Sequence, residues 1–401
     1  MRSSLAPFLM VLAACSAAPP PEPSPFGPPR GGPAAPLVAT APRPPPELPS
    51  APPTPPPAPS VEKVGSGVPL DAPAAPPPPP SPPPSVARGT GTAEDKLLAR
   101  GDAAFAASDF VAAEKAYRDA GLADRKDPAA IVGAVRARIA GAAVPTDFNS
   151  APRHPALLAA VKELKRAIKL DDSYAGAHLE LGRTYLVLGS EAEAMESLKR
   201  AVLLAPGDAE AHSALGVAHL AGGRLADAVR ELARSAEIAP GDAERQTNLG
   251  TALLSSGRAG EAVAAYERAA KLAPNDARVQ NDLGTALLFA NDPARATAIL
   301  AAAVARDPQR ATYRSNLGYA HALKGDLPRA IALYREALKL DDKLGSAWIN
   351  LGNALAQSGQ TKEAREAYLK AKAIDPTDPR VKAVLQELDA IEKSGGAPPP
   401  P

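Results

Sequence analysis

Four short polar side chains follow one another at intervals of 34 residues: Asn248, Asp282, Asn316 and Asn350. Three places further on in the same register stand Arg183, Thr251, Thr285 and Asn353. An Asn carries two N–H donors and a carbonyl acceptor, and an Asp carries acceptors only, so such a row presents both at a fixed pitch. This is chemistry for holding a polar partner, not for breaking a bond. The five histidines do not alter that reading. His178 and His212 share one register position, His219 and His321 another, and His154 lies outside the register. These positions read as packing, and no further ligands complete a metal shell. The pairs Asp171-Asp172 and Asp341-Asp342 fall at junctions, where they are expected to cap the following helix. There is no Gly-rich phosphate loop, nucleophile elbow or metalloprotease helix motif. A non-catalytic chain with no cofactor and no metal is the expectation.

A polar row at constant pitch needs a scaffold that repeats. The pairs Leu181-Gly182, Leu215-Gly216, Leu249-Gly250, Leu283-Gly284, Leu317-Gly318 and Leu351-Gly352 supply it. With the first strict unit set at 175–208, Leu-Gly takes positions seven and eight. Position twenty is always Ala, from Ala194 to Ala364. Position twenty-four is large: Leu198, Leu232, Tyr266, Leu300, Tyr334, Tyr368. Proline stands at position thirty-two except in the fifth unit, which has Asp342. Small residues at fixed places let two helices approach, and the large residue fills the space beside them. Gly189, Gly223, Gly257, Asn291, Gly325 and Gly359 mark the turn between the helices, where a left-handed backbone favours Gly or Asn. The late proline ends the second helix.

These residues resemble the tetratricopeptide repeat (TPR), with high specificity over 175–378. The resemblance implies an all-α solenoid of helix-turn-helix units winding into a right-handed superhelix. Two weaker units precede the strict ones. Residues 94–127 keep Gly101, Ala113, Tyr117 and Ala120 in register. Residues 128–174 carry an insertion around Val144 to His154, where Pro145, Pro152 and Pro155 forbid helix. About eight units therefore fill 93–393, with an amphipathic cap over 379–393 and a disordered tail over 394–401. By resemblance, the first helices line the concave face, and positions two, five, six, nine, twelve and thirteen are left facing a groove. The row of Asn248, Asp282, Asn316 and Asn350, with Arg183, Thr251, Thr285 and Asn353, would then bind the backbone of an extended peptide, as similar asparagine ladders do in some relatives. A carboxylate clamp is not matched, since Arg183, Arg278 and Arg314 are scattered. Glycosyltransferases with such ladders need a catalytic domain for which this chain has no span.

Charge excludes one partner class. The chain holds 45 Lys and Arg against 44 Asp and Glu, and the two signs balance from residue 93 onward, so no field concentrates a nucleic acid. The N-terminus reads as an address. Arg2 followed by Leu5 to Ala14 forms a short secretory signal, residues 1–15. Leu12-Ala13-Ala14-Cys15 resembles the bacterial lipobox, which implies lipidation of Cys15 and, with Ser16 next, the outer membrane. Residues 16–92 contain 30 of the 47 prolines. They read as a disordered, polyproline-rich linker that cannot bury enough apolar area to fold. The whole layout points to an exported, lipid-anchored scaffold with its array in the periplasm and a protein or peptide client. It resembles the pilotins that assemble secretin channels. A regulator docking peptidoglycan enzymes and a structural envelope tether are the alternatives.

Overall fold

The computed structural model describes residues 85–142 and 154–393. The signal segment with Cys15, residues 16–84 of the linker, most of the inserted loop and the tail lie outside the described residues. Seventeen α-helices and no strands occur among the described residues. They pair as α1 Ala93–Ala106 with α2 Phe110–Ala123, α3 Pro128–Gly141 with α4 Pro155–Leu170, and α5 Ala175–Val187 with α6 Glu191–Leu204. The series continues with α7 Ala209–Ala221 and α8 Leu225–Ile238, α9 Ala243–Ser255 and α10 Ala259–Leu272, and α11 Ala277–Phe289 and α12 Pro293–Arg306. It closes with α13 Ala311–Leu323 and α14 Leu327–Leu340, α15 Gly345–Gln357 and α16 Thr361–Ile374, and the terminal α17 Pro379–Lys393. On α17, Val381, Leu385 and Leu388 are buried against the last unit.

The position-eight glycine sets how closely the two helices of a unit approach. A Cβ placed on Gly182, Gly216 or Gly284 would stand 2.5 Å from the Cγ of Leu198, Leu232 or Leu300 respectively. On Gly250 or Gly318 it would meet the ring of Tyr266 or Tyr334 at 2.9 Å. Position twenty-four therefore rests on bare backbone. The turn residues adopt the left-handed conformation expected of them, and the one asparagine, Asn291, does so at φ 59°. Ser108 holds the equivalent place in the first unit at φ 61°.

Successive units are joined by a contact that apolar periodicity does not reveal. The side chain at position four donates to the carbonyl at position thirty-two of the preceding unit. His178 Nε2 reaches Asp172 O at 3.0 Å, His212 Nε2 reaches Pro206 O at 3.1 Å, and Gln280 Nε2 reaches Pro274 O at 3.4 Å. Arg314 donates to Pro308 O, and Trp348 Nε1 reaches Asp342 O at 2.8 Å. Four different side chains thus satisfy the same orphan carbonyl beyond a helix end. The expectation that the aspartate pairs cap the next helix is corrected here. Asp171 and Asp341 instead accept the backbone N–H of Ser173 and Lys343, at 2.9 and 3.0 Å, inside the junction turn. The N-caps of α5 and α15 are Tyr174 and Leu344, neither with a side-chain cap bond.

The linker boundary also moves. Residues 85–92 form an ordered segment packed on α1, and Val86 is buried. They are held because acidic side chains of the first unit collect their backbone N–H groups, an interaction invisible to a reading based on proline content.

The layers are unequal. Each first helix touches the first helix of the next unit, whereas successive second helices make no comparable contact. The first helices therefore form the inner layer. Between the second helices lie open clefts, about 590 Å³ between α4 and α6 and about 470 Å³ between α2 and α4.

The glycine contact predicts a sign. Gly284→Ala gains helix propensity of about 1 kcal/mol but overpacks against Leu300, which costs roughly 1–3 kcal/mol. Gly284→Leu costs more. Thermal unfolding should show both variants destabilised, and the Gly284→Ala/Leu300→Ala pair should show a positive coupling in a double-mutant cycle.

Candidate functional site: the inner face of the array

The inner helices bring the position-six and position-nine residues into one row, but they do not leave it idle. Asn248, Asn316 and Asn350 are each under 8% exposed, and Asp282 is half-buried. Asn316 Nδ2 donates to Asn281 Oδ1 of the preceding unit at 2.8 Å and to Thr285 Oγ1 at 3.4 Å. Asn248 Nδ2 donates to Ser213 Oγ of the preceding unit at 3.3 Å. The rungs are thus partly spent on joining units, through the Nδ2 groups of Asn248 and Asn316. Thr285 donates to Asn281 O at 2.9 Å.

Position nine is coupled to position twenty-four. The hydroxyl of Tyr266 is 2.9 Å from Thr251 Oγ1, which itself donates to Thr247 O. Tyr368 donates to Asn353 Oδ1 at 2.8 Å, and in the first unit Tyr117 donates to Asp102 Oδ1 at 2.7 Å. A tyrosine whose ring lies over the glycine needs a partner for its buried O–H, and for Tyr117, Tyr266 and Tyr368 position nine supplies it.

Arg183 stands apart from the neutral residues. It sits in an ionic cluster that crosses three units. Its guanidinium pairs with Glu210 and lies 3.3 Å from Glu180 Oε1. Glu210 also accepts from Arg245 Nη2 at 2.5 Å, and Arg245 lies 3.6 Å from Asp242. Burial alone would raise the Glu210 carboxyl, but Arg183 and Arg245 outweigh it and hold it at about 2. Two carboxyls further along have no such excess of cations. Burial raises Glu244, opposed by Arg245. Burial raises Asp282 to about 6, opposed by Arg278. The inner face thus passes from paired charge, through weakly compensated carboxyls, to the amides of Asn316, Asn350 and Asn353.

The cluster was missed in the sequence, though its members Glu180, Arg183 and Glu210 occupy positions six, nine and two. The alternation of sign at those places was the available signal. Asp95 and Asp102, at positions two and nine of the first unit, were missed in the same way. They hold residues 85–91. Asp102 Oδ2 accepts from Val86 N and Ala87 N, both at 3.0 Å, and from Ser85 Oγ at 2.6 Å. Asp95 accepts from Arg88 N at 2.6 Å and Gly91 N at 3.1 Å. Among the described residues no group of His, Cys, Asp and Glu is disposed to hold a metal ion.

The Glu210 pairing fixes a pH dependence. Its folded pKa lies below the ordinary 4.5, so its stabilisation is complete above about pH 4.5 and is lost as pH falls toward 2. Glu210→Gln, which leaves two guanidinium groups facing each other, should cost roughly 3 kcal/mol at pH 7. Urea melts of the two proteins should converge as pH is lowered to 2, and a pH-independent difference would contradict the pairing.

Two family models match the chain. The tetratricopeptide repeat model matches residues 156–215, 188–251 and 321–388, and the TPR domain of cytochrome c-type biogenesis protein H matches residues 232–343. No curated protein matches. Among solved structures, the APC/C hetero-tetramer Cut9–Hcn1 is similar with a TM-score of 0.54 at 16% identity over 75% of this chain, which spans 57% of that one. Pseudomonas aeruginosa pilF is 20% identical over 54% of this chain and 98% of its own, with a TM-score of 0.45. YrrB, a TPR protein with an unusual peptide-binding site, is 21% identical over 48% of this chain and all of its own, with a TM-score of 0.38. At these identities the likeness is one of fold. With the register, the glycine contacts and the paired helices in agreement with both family models, residues 156–388 are an array of tetratricopeptide repeats.

Proposed function

We propose that this array is a non-catalytic scaffold that holds an extended segment of a client protein along its inner face. The observation that carries the reading is the chain's own segment 85–91. It lies against α1 with its backbone amides on positions two and nine, the same positions that recur down the inner helices. Backbone amides are common to every extended peptide, so acceptors at a repeating pitch bind without demanding a particular sequence. Asp282 and the carboxamide oxygens of Asn248, Asn316 and Asn350 would take the client's N–H groups. Thr251, Thr285 and Asn353 flank them, and Arg183 closes the row at its charged end. Half-buried Leu220 and Phe289 and exposed Leu323, at positions twelve and thirteen, offer apolar contact beside the polar row.

The setting we assign is the bacterial cell envelope. The lipobox-like Leu12 to Cys15, the proline-rich stretch and the array support a lipid anchor on Cys15, a tether and a periplasmic working face at the outer membrane. A subunit of a secretin or pilus machine is the client this layout favours.

In vivo crosslinking with mass spectrometry would compare the native chain with one carrying Asn248→Ala, Asp282→Ala, Asn316→Ala and Asn350→Ala. Loss of the inter-unit bonds of Asn248 and Asn316 should cost about 1 kcal/mol each, so circular dichroism must first show the variant folded. The native chain should capture an envelope protein that the folded variant loses. Undiminished capture would place binding elsewhere and end the proposal.

A further inference from the structure

The segment just described ends in an interaction unlike the rest of the inner face. The Arg88 guanidinium makes two hydrogen bonds to Asp127, at 2.5 and 2.7 Å. The two partners are unequal. The Asp127 side chain is 3% exposed and that of Arg88 is 47% exposed. Asp127 also caps α3, accepting from Ala129 N at 2.8 Å, so it belongs to the fold whether or not Arg88 is present. Arg88 approaches from solvent, with its guanidinium 5.8 Å from the centre of the Tyr174 ring. Val86 is buried two residues earlier. The receptor side is made of Asp95, Asp102 and Asp127 of the first unit and Tyr174 at the end of the second. It is a fixed cradle for a small polar residue, an apolar residue, two backbone amides and an arginine.

We infer that the first units carry a distinct site for an extended, arginine-bearing peptide, and that residues 85–88 fill it as a displaceable self-ligand. This rests on the peptide-binding reading of the inner face. A buried carboxylate that loses its guanidinium favours another one, because an uncompensated buried charge is costly and the planar fork matches a carboxylate in two bonds. That identifies the competing ligand by chemistry: an extended segment with Arg two residues after an apolar side chain. Because the self-ligand is joined covalently to the array, it competes at a high effective concentration. The N-terminal end of the groove is therefore closed until a client displaces residues 85–88, while the inner face from Arg183 onward stays open.

The test uses the full chain and a fluorescent synthetic peptide with the sequence of residues 83–92, followed by fluorescence anisotropy. Arg88→Glu sets a carboxylate against Asp127 and should release the segment. Val86→Asp should release it independently by losing the buried contact. Both variants should bind the peptide at least tenfold more tightly than the native chain. Adding Asp127→Asn to Arg88→Glu should lower that affinity at least tenfold, and a peptide with Arg88→Ala should bind no released variant. Equal binding by native and released chains, or no binding by either released chain, overturns the inference. Since the probe reads only the first units, it can fail while client capture at Asn248 to Asn350 persists, and the reverse.

Discussion

The contact between the position-eight glycine and the residue at position twenty-four fixes the geometry on which the remaining features depend. With Leu300 seated on the bare backbone of Gly284, the two helices of a unit lie closer than any side chain at that place would permit. Close approach orients the first helix, and its orientation turns positions two, six and nine inward. In three of the units with tyrosine at position twenty-four, the same contact gives the polar residue at position nine its partner. A phenol brought over the glycine carries its hydroxyl to Thr251, Asn353 or Asp102. Packing and the polarity of the inner face are therefore one arrangement seen from two sides.

Stability in such a chain is a sum over units and their junctions, and the junctions are more polar than the cores. Each strict unit buries its position-twenty alanine and its position-twenty-four residue almost completely. Between units, the position-four donors, the carboxamides of Asn248 and Asn316 and the cluster around Glu210 add directional bonds. Directional bonds specify the offset of one unit on the next, which apolar contact alone leaves loose. The carboxamides and the Glu210 cluster lie on the inner face, so part of the polarity of that face is already engaged between units. Glu244 and Asp282 are where the balance is least settled, since burial disfavours their charge and few cations oppose it.

Much of the fold was legible because it is written in identity at a fixed interval. Gly284, Ala296 and Leu300 recur with their equivalents, and the left-handed turn could be read from Gly257 and its one replacement by Asn291. Position four was legible as a packing position but not as a donor, since His, Gln, Arg and Trp share no chemistry until a common carbonyl is seen. The aspartates at 171 and 341 misled because a short acidic residue before a helix serves equally in a cap or in a turn. The polar row of Asn248, Asp282, Asn316 and Asn350 lies on the inner helices, but its partial use between units could not be read, because Asn316 meets Asn281 only after the helices stack. Residues 85–92 were hidden by the prolines that precede them, although Asp95, Asp102 and Asp127 are an unusual acidic run for the start of an array.

The unequal layers have a mechanical meaning. The inner helices touch in an unbroken column, while the outer helices are separated by clefts and bridged at the surface by pairs such as Arg295–Glu267 at 2.5 Å and Arg335–Glu363 at 2.8 Å. Exposed pairs of this kind contribute about 0–1 kcal/mol and end in long side chains that can lengthen without breaking backbone contact. The solenoid is therefore stiff along its inner column and compliant across its outer one. Backbone contact on one side and exposed side-chain pairs on the other form an arrangement in which curvature could change without altering a residue of the inner face.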